Sequence, residues 1–326
     1  MKRILTAAVG GLAMLMGTGS LHAEGQAKAV AIPVMLLDGE SAGPYHNWRL
    51  TTPVIRKELD EAGMFAVTVV TAPDSKTGDL NGFRPEFTKY KVVVLNYDAP
   101  DWPEDVKKQL DDYVRSGGGL VVIHAADNAF PHWDAYNEMI GMGGWRGRDE
   151  SAGPMWYFDD GKLVKDTTTP GTAGHHGARL PYQVVTRAPE HPILRGLPPV
   201  WMHAADELYG TLRGPGKNMT VLATAHSDPQ NHGTGHDEPM AMVIAYGKGR
   251  VFHTPMGHDV AALSCVGLMT LLQRGTEWAA TGHVTQRAPK DFPTAKTTSV
   301  RVDLEAMDPA FLGGASNPVR ETGNRE

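Results

Sequence analysis

The chain has 326 residues, of which 41% are hydrophobic and 21% charged, and its formal net charge is −6. This length suits one large α/β domain or two smaller ones, and we expect a single domain with a long insertion. The acidic balance, without any block of Lys and Arg, excludes the electrostatic footprint of a nucleic-acid-binding protein. The single cysteine, Cys265, excludes an internal disulfide and a cysteine zinc cluster.

Residues 1–23 have the pattern of a secretory signal peptide. Lys2 and Arg3 precede an apolar stretch at 4–16, and residues 21–23 form a signal-peptidase site. The apolar stretch is shorter than the roughly 20 residues of a membrane helix, so we expect no membrane span after cleavage. Loss of Lys2 and Arg3 would take the formal charge from −6 to −8. The prediction is a periplasmic or secreted protein, and the alternative is a retained anchor.

Strand and helix signals alternate along the rest of the chain. In chain order we predict strands at 29–37, 65–70, 91–96, 120–124, 182–186 and 219–225, a hairpin at 240–246 and 250–254, and helices at 47–62, 101–115 and 261–280. Alternating strands and helices with short connections predict right-handed crossovers and a parallel sheet. The sequence therefore favours an α/β fold with a mostly parallel sheet and a late β-hairpin.

Two segments lack this regularity. Residues 141–181 are rich in Gly, Asp and Thr, and a loop this long inside a domain is usually functional or disordered. We expect it to form an ordered excursion over the strand ends. Residues 283–326 are polar with several prolines and are predicted to be a C-terminal tail.

The clearest candidate catalytic residue is His124. It ends the apolar run 120–123, which reads as a strand covered on both faces. Ligands bind outside the carboxyl ends of strands in open α/β sheets, although such a histidine is about as often structural. His258 follows the strand predicted at 250–254 in the same way. We therefore expect the two imidazoles to converge on one pocket.

A second group of polar residues lies in the segment 201–209. If this segment is helical, His203 and Glu207 stand at i and i+4 on one face, beside Asp206. That arrangement suits a metal-ligand pair or an oriented base, with Glu207 as a further catalytic candidate. The alternative is an ordinary solvated helix, because the His-x-x-x-Glu spacing is common.

Further polar and aromatic residues lie on the predicted ligand-facing edge or in the excursion. The candidate substrate-binding residues are His46, Asn47, Asp127, Trp145, Arg148, His176, Asp206 and Tyr209. Trp145 and Arg148 have the chemistry to stack on a sugar and bond to it, although such a pair is equally common as surface cover.

Several of these segments together resemble the ThuA-like (trehalose-utilisation) family. The matching segments are Gly119–Ala125, Glu190–Pro198, Asp206–Tyr209, Tyr246–His253 and Gly257-His258. The resemblance covers roughly residues 30–282 and implies a flavodoxin-like three-layer sandwich, similar to class I glutamine amidotransferases, with a domain at 24–282. It also implies that His124 stands where amidotransferases carry their nucleophilic cysteine, so thiol glutaminase chemistry is not expected.

The same resemblance implies a role in sugar catabolism, alongside oxidoreductases that make 3-keto sugars. We therefore expect an exported enzyme that cleaves a small 3-keto glycoside, with His124, Glu207 and His258 as acid and base. A divalent metal such as zinc or manganese would be held by His124, His203 and His258. The sequence leaves open a non-enzymatic sugar-binding or accessory protein, a keto-sugar isomerase, and a homo-oligomer.

Overall fold

The structure, a computed structural model, describes Met1 and residues 30–41, 45–98 and 101–312. Apart from Met1, the predicted signal peptide at 1–23 lies outside the described residues, as does the end of the predicted tail. None of the helices in the described ranges is both long enough and apolar enough to cross a bilayer.

The described strands form one sheet. In chain order they are β1 Ile32–Asp38, β2 Phe65–Thr71, β3 Val92–Leu95, β4 Gly119–Ile123, β5 Met155–Asp159, β6 Lys162–Asp166, β7 Gln183–Thr186, β8 Val200–Met202, β9 Met219–His226, β10 Asp237–Tyr246 and β11 Gly249–Thr254. The main path through the sheet is β2-β1-β3-β4-β11-β10-β9-β7-β8, and β5 joins it through β10 and pairs with β6.

The sheet has a parallel half and an antiparallel half. Strands β2, β1, β3, β4 and β11 are mutually parallel, whereas the pairs from β11 to β8 are antiparallel. The prediction of a mostly parallel sheet therefore holds for the first half only, because the β10–β11 hairpin reverses the chain. Thr254 of β11 lies opposite Ile123 of β4, so both strands end at the same edge. That shared edge brings the residues after them together.

Helices cover both faces of the sheet. They are α1 Trp48–Glu61, α2 Glu104–Arg115, α3 Asp134–Ile140, α4 Val260–Leu263, α5 Val266–Thr281, α6 Val302–Glu305 and α7 Pro309–Leu312. Val34 and Leu36 of β1 belong to the core that includes α1 and α5, whereas Met35 and Leu37 belong to the core that includes α2 and α3. Successive strand residues point to opposite faces, so the apolar run of β1 serves two cores. The fold is the predicted three-layer flavodoxin-like sandwich.

The helix predicted at 261–280 is interrupted. Cys265 has an extended backbone between α4 and α5 and pairs with Val300 in an isolated bridge. The described part of the tail follows the domain surface from there, and Leu304 is completely buried. Met202 of β8 also donates its backbone N–H to the Thr294 carbonyl, at 2.8 Å. At Cys265, pairing with Val300 of the tail therefore takes the place of a continuous helix.

The excursion at 141–181 contains a β-hairpin that the sequence analysis missed. Strands β5 and β6 are joined by Asp160 and Gly161, both with positive φ (45° and 73°). Asp-Gly is the preferred pair for a two-residue turn of this kind, because glycine adopts positive φ without steric cost. The signal was present in the sequence but was hidden by the surrounding polar composition.

Glu238 of β10 makes the stability of the fold depend on pH. The side chain is buried and accepts a hydrogen bond from Thr234 Oγ1 at 2.7 Å, and burial raises its pKa from 4.5 to about 7. The folded protein thus keeps a proton that the unfolded chain loses above about pH 4.5. The free energy of unfolding therefore falls as the pH rises from 4.5 to 7. In Glu238→Gln this fall should be about 3 kcal/mol smaller. Urea unfolding at pH 5 and pH 8 measures the difference.

The matched control is Glu190→Gln, because Glu190 is exposed. We expect this variant to follow the pH profile of the unchanged protein within about 0.5 kcal/mol. If Glu238→Gln also followed that profile, the pKa of Glu238 would not be raised in the folded state.

Candidate metal centre

Four side chains from separate segments meet at the carboxyl ends of the parallel strands. They are His46, His124, Glu207 and His258, and one ligand atom from each lies within 4.8 Å of all the others. His124 follows β4 and His258 follows β11, whose parallel register places them at one edge. His46 precedes α1, and Glu207 lies in the loop after β8. The fold therefore joins residues up to 212 positions apart.

His124 is held with one ring nitrogen facing the cluster. Its Nδ1 lies 2.7 Å from the Pro255 carbonyl, which only accepts, so Nδ1 carries the hydrogen and Nε2 has a lone pair. Nε2 lies 3.2 Å from His46 Nε2 and 3.3 Å from His258 Nδ1. The backbone of His124 has a φ of 45°, a conformation that costs a non-glycine residue about 1–3 kcal/mol. Such strain is typical of functional sites.

Glu207 is the carboxylate of the cluster. Its Oε2 lies 3.1 Å from His258 Nδ1 and 3.7 Å from His124 Nε2. Burial alone would raise the pKa of Glu207, but the hydrogen bond and charge of His258 outweigh it and the pKa is lowered. For His258, burial would lower the pKa, but the hydrogen bond and charge of Glu207 raise it. The two groups therefore form an ion pair.

The other two imidazoles are uncharged at neutral pH. Burial and the charge of His258 lower the pKa of His46 to about 4. Burial, followed by the charges of His46 and His258, holds the pKa of His124 well below its ordinary value. Neither ring has to lose a proton before it binds a cation, and at His124 Nε2 the cation would replace the hydroxyl hydrogen of Tyr209.

The donor set fits one divalent cation. Three imidazole nitrogens and one carboxylate oxygen are ligands that zinc and related transition metals prefer. The bond from His124 Nδ1 to a backbone carbonyl is also the usual way in which a metal-bound histidine is oriented. The Nε2 atoms of the uncharged His46 and His124 rings lie 3.2 Å apart, so one cation could bind both nitrogens.

Asp206 positions the two segments that carry Glu207 and His258. Its carboxylate accepts hydrogen bonds from the backbone N–H groups of Glu207 at 2.8 Å and Gly257 at 2.7 Å. It also accepts bonds from the N–H of His258 at 3.1 Å and from His203 Nε2 at 2.9 Å. Asp206 has no exposed surface and accepts four hydrogen bonds from the protein, so the structure gives it a positioning place behind the cluster instead of the predicted place on the substrate side.

The segment 201–209 is not helical, so the predicted i, i+4 pair does not form. Val200–Met202 is strand β8, paired antiparallel with β7, and the residues after it form a loop. His203 is completely buried, lies outside the four-residue cluster and bonds to Asp206. The structure therefore does not bring His203 together with His124 and His258, because strand pairing directs the chain here.

Arg148 and Asp127, predicted to contact substrate, are buried in the structure and bond to groups of the protein. The Arg148 guanidinium is buried and donates to the carbonyls of Asn128, Ala129 and Gly144 at 2.7–2.8 Å. Asp127 is completely buried, 3.3 Å from His253 Nε2. The N–H groups of Arg148 thus supply the hydrogen bonds that these buried loop carbonyls would otherwise need from water.

An aromatic wall adjoins the cluster. Tyr209 donates its hydroxyl hydrogen to His124 Nε2 at 2.8 Å, and the Trp145 ring lies 4.4 Å from the Tyr209 ring. The ring centre of His176 lies 6.1 Å from that of Trp145, and His176 Nε2 lies 3.8 Å from Glu207 Oε1. Asn47 is exposed, and within the described ranges only its backbone carbonyl takes part in hydrogen bonds, which it accepts from the first turn of α1. Of the predicted substrate-binding residues, His46, Trp145, His176 and Tyr209 are the ones gathered at the cluster.

Asp98 is a site residue that the sequence analysis did not identify. A small cavity beside the cluster is lined by Asp98 and Asn96 together with His46, His124 and His258. Asp98 follows β3 by three positions, so it stands at the same edge of the sheet as His124. The strand-end rule that singled out His124 would have found it as well.

Comparison with known proteins gives a consistent result. A family model described as ThuA, trehalose utilisation, matches residues 34–279. The crystal structure of a ThuA-like protein from Parabacteroides merdae is 44% identical, covering 84% of this chain and 99% of that one, with a TM-score of 0.80. A ThuA-like protein from Bacteroides uniformis is 18% identical over 81% of this chain and 97% of that one, with a TM-score of 0.54, which shows the fold alone. No curated protein matches the chain.

Proposed function

The chain belongs to the ThuA (trehalose utilisation) family, and from this premise we propose that it is an exported, metal-dependent enzyme that cleaves 3-keto glycosides. The family assignment rests on the match over residues 34–279 and confirms the resemblance seen in the sequence. The convergence of His46, His124, Glu207 and His258 is the observation that carries the proposal. A site of this kind, with the buried Tyr209 ring against it and the half-buried Trp145 and His176 beside it, suits a small polar substrate.

The four residues of the cluster would hold the cation. When bound, a divalent cation acts as a Lewis acid on a carbonyl oxygen, which makes the C–H bond beside the carbonyl acidic. For a sugar with a ketone at C3, that bond is C2–H. The ring lone pairs of His124 and His258 cannot bind a cation and accept a proton at the same time. Their predicted acid–base role is therefore replaced here by a ligand role, which Glu207 shares.

His176 is the best-placed base. It lies beside the cluster without belonging to it, and 27% of its side chain is exposed, compared with 3% for His124 and 12% for His258. In the proposed reaction Nε2 of His176 takes the C2 proton. The C2–H electron pair forms the C1=C2 double bond as the C1–O bond breaks, and the leaving oxygen takes up a proton. Water then adds OH to C1 and H to C2, which completes hydrolysis.

Tyr209 and Trp145 would orient the sugar. Burial raises the pKa of Tyr209 well above its ordinary value, so the hydroxyl stays protonated at neutral pH and can both donate and accept a hydrogen bond. Trp145 is half-buried, with its ring against Tyr209 and near His176, in a position to pack on a sugar ring.

The test is incubation of the purified protein, starting at residue 24 and loaded with Zn²⁺ or Mn²⁺, with 3-keto disaccharides of several linkages in D₂O. We expect cleavage with deuterium at C2 of the released keto sugar, and a rate at least about 100-fold lower for His176→Ala. The control is His226→Ala, because His226 is exposed on β9 and pairs with Asp237.

Each other outcome contradicts the proposal in a different way. Absence of cleavage for every linkage with both metals would leave a sugar-binding or accessory protein. A rearranged keto sugar with its glycosidic bond intact would identify an isomerase. Equal rates for His176→Ala and His226→Ala would place the base elsewhere. Export is tested separately, by finding the mature protein in the periplasm or medium with Glu24 as its first residue.

A further inference from the structure

Asp98 is buried beside the metal centre with half of its carboxylate unused. The residue is 1% exposed, and its Oδ1 accepts a hydrogen bond from Arg146 Nε at 2.5 Å. Its Oδ2 is buried and has no hydrogen-bond partner among the described residues. A buried carboxylate oxygen without a donor is costly, and in native proteins such a group usually has a role.

The raised pKa of Asp98 is consistent with a buried carboxylate oxygen that lacks a hydrogen-bond donor. Burial raises the pKa of Asp98 to about 6, even though the charge and hydrogen bond of Arg146 lower it. Burial thus outweighs Arg146 and the Asn128 side chain, the two neighbours whose hydrogen bonds favour the charged carboxylate. Asp98 lines the same cavity as His46, His124 and His258, so a ligand at the centre would come close to it.

The loop that carries Arg146 is shaped for this contact. Trp145 and Arg146 both have positive φ, at 50° and 48°, which is strained for residues other than glycine. The two-residue twist brings the Trp145 ring onto Tyr209 and the Arg146 guanidinium onto Asp98. Arg146 remains about one-third exposed at its side chain, so it keeps donors for a ligand.

We propose that Asp98 and Arg146 form a hydroxyl-binding subsite next to the metal centre. Oδ2 of Asp98 accepts a hydrogen bond from one ligand hydroxyl, and a free N–H of Arg146 donates to the neighbouring hydroxyl. Because the two charges cancel, the subsite selects a neutral sugar with adjacent hydroxyls rather than a sugar phosphate. The identification of the ligand as a sugar rests on the proposed function, whereas the hydroxyl-binding pair stands on its own geometry.

The experiment measures binding rather than turnover. Zn²⁺-loaded protein is titrated with glucose, with its 2-, 3- and 4-deoxy derivatives and with glucose 6-phosphate, using calorimetry. We expect at least one deoxy sugar, and the phosphate, to bind about 10-fold or more weakly than glucose. Asp98→Asn keeps an oxygen for Arg146 but places an amide where Oδ2 accepts. It should weaken glucose binding by about 10- to 100-fold and abolish the preference over that deoxy sugar.

The matched control is Asp60→Asn, which alters another Asp–Arg pair, with Arg56, on the exposed face of α1. Its sugar affinity should match that of the unchanged protein, and Zn²⁺ affinity should be unchanged in both variants. If Asp98→Asn does not fold, Arg146→Met tests the same pair and should also abolish the preference.

The remaining outcomes separate the two proposals. Equal glucose affinity in Asp98→Asn and the unchanged protein overturns the subsite even if 3-keto glycosides are cleaved. Tighter binding of glucose 6-phosphate than of glucose overturns the selection of neutral sugars, and failure of every sugar to bind overturns the subsite altogether. Loss of glucose binding in Asp98→Asn, with no cleavage by either protein, would support the subsite and refute the proposed reaction.

Discussion

Replacing Glu207 with glutamine is expected to lower the Zn²⁺ affinity of the centre by at least about 100-fold. Loss of a group that merely orients a metal ligand typically costs 10- to 100-fold, and Glu207 supplies the one carboxylate of the four-residue cluster. Glutamine has nearly the same shape, so the change removes the negative charge with little effect on packing. Without that charge, the ring of His258 also loses its ion-pair partner.

Competition with a chromophoric chelator at pH 7.5 measures this affinity directly. A second measurement is the stabilisation by Zn²⁺, which for the unchanged protein is about 2.7 kcal/mol at 100 times the dissociation constant. Glu238→Gln is the matched control, because it neutralises a buried carboxylate outside the cluster and should leave Zn²⁺ affinity unchanged. An equal affinity in Glu207→Gln would mean that the cluster is not a metal site.

Arg148→Met should destabilise the fold by about 3 kcal/mol or more. The guanidinium donates to the carbonyls of Asn128, Ala129 and Gly144 and contacts the Asn137 side-chain oxygen. Methionine fills much of the space but leaves those carbonyls buried without donors, each at a cost of about 1–3 kcal/mol. Lost activity in this variant would follow from the displaced loop, since Arg148 does not reach the cavity.

Urea unfolding measures the change in the free energy of unfolding. The control is Arg56→Met, which removes only an exposed pair with Asp60 and should change stability by less than about 1 kcal/mol. A similarly small change in Arg148→Met would show that water replaces the guanidinium, and hence that this region is more open than the structure indicates.

The part of the site that follows strand ends could be predicted from the sequence. His124 and His258 each follow an apolar strand, and parallel pairing alone requires them to meet. Their tautomers and charges could not be predicted, because these depend on distant groups such as the Pro255 carbonyl and Glu207. The parallel half of the sheet was predictable because strands and helices alternate there, whereas the three-layer sandwich was implied by the family resemblance.

The errors arose where long-range pairing decides the local structure. The spacing of His203 and Glu207 suggests a helix, but pairing of β8 with β7 places the first residues of that segment in the sheet. Arg148 looks like a ligand group because burial cannot be read from one residue, and its partners are carbonyls up to 20 positions away. Asp98 was missed because β3 has only four residues and two more, Asn96 and Tyr97, separate Asp98 from the strand.

The bond between Met202 and Thr294 bears on where this module can be cut. The matched family segment stops at 279, yet Thr294 bonds to the outer edge of β8, Val300 pairs with Cys265, and Leu304 is completely buried. Strand β8 leads directly to His203 and Asp206. Ending the chain at 279 would therefore expose the unpaired edge of β8, which favours aggregation, and would weaken the support that Asp206 gives to Glu207 and His258. Truncation for expression or fusion should therefore spare everything up to at least residue 307.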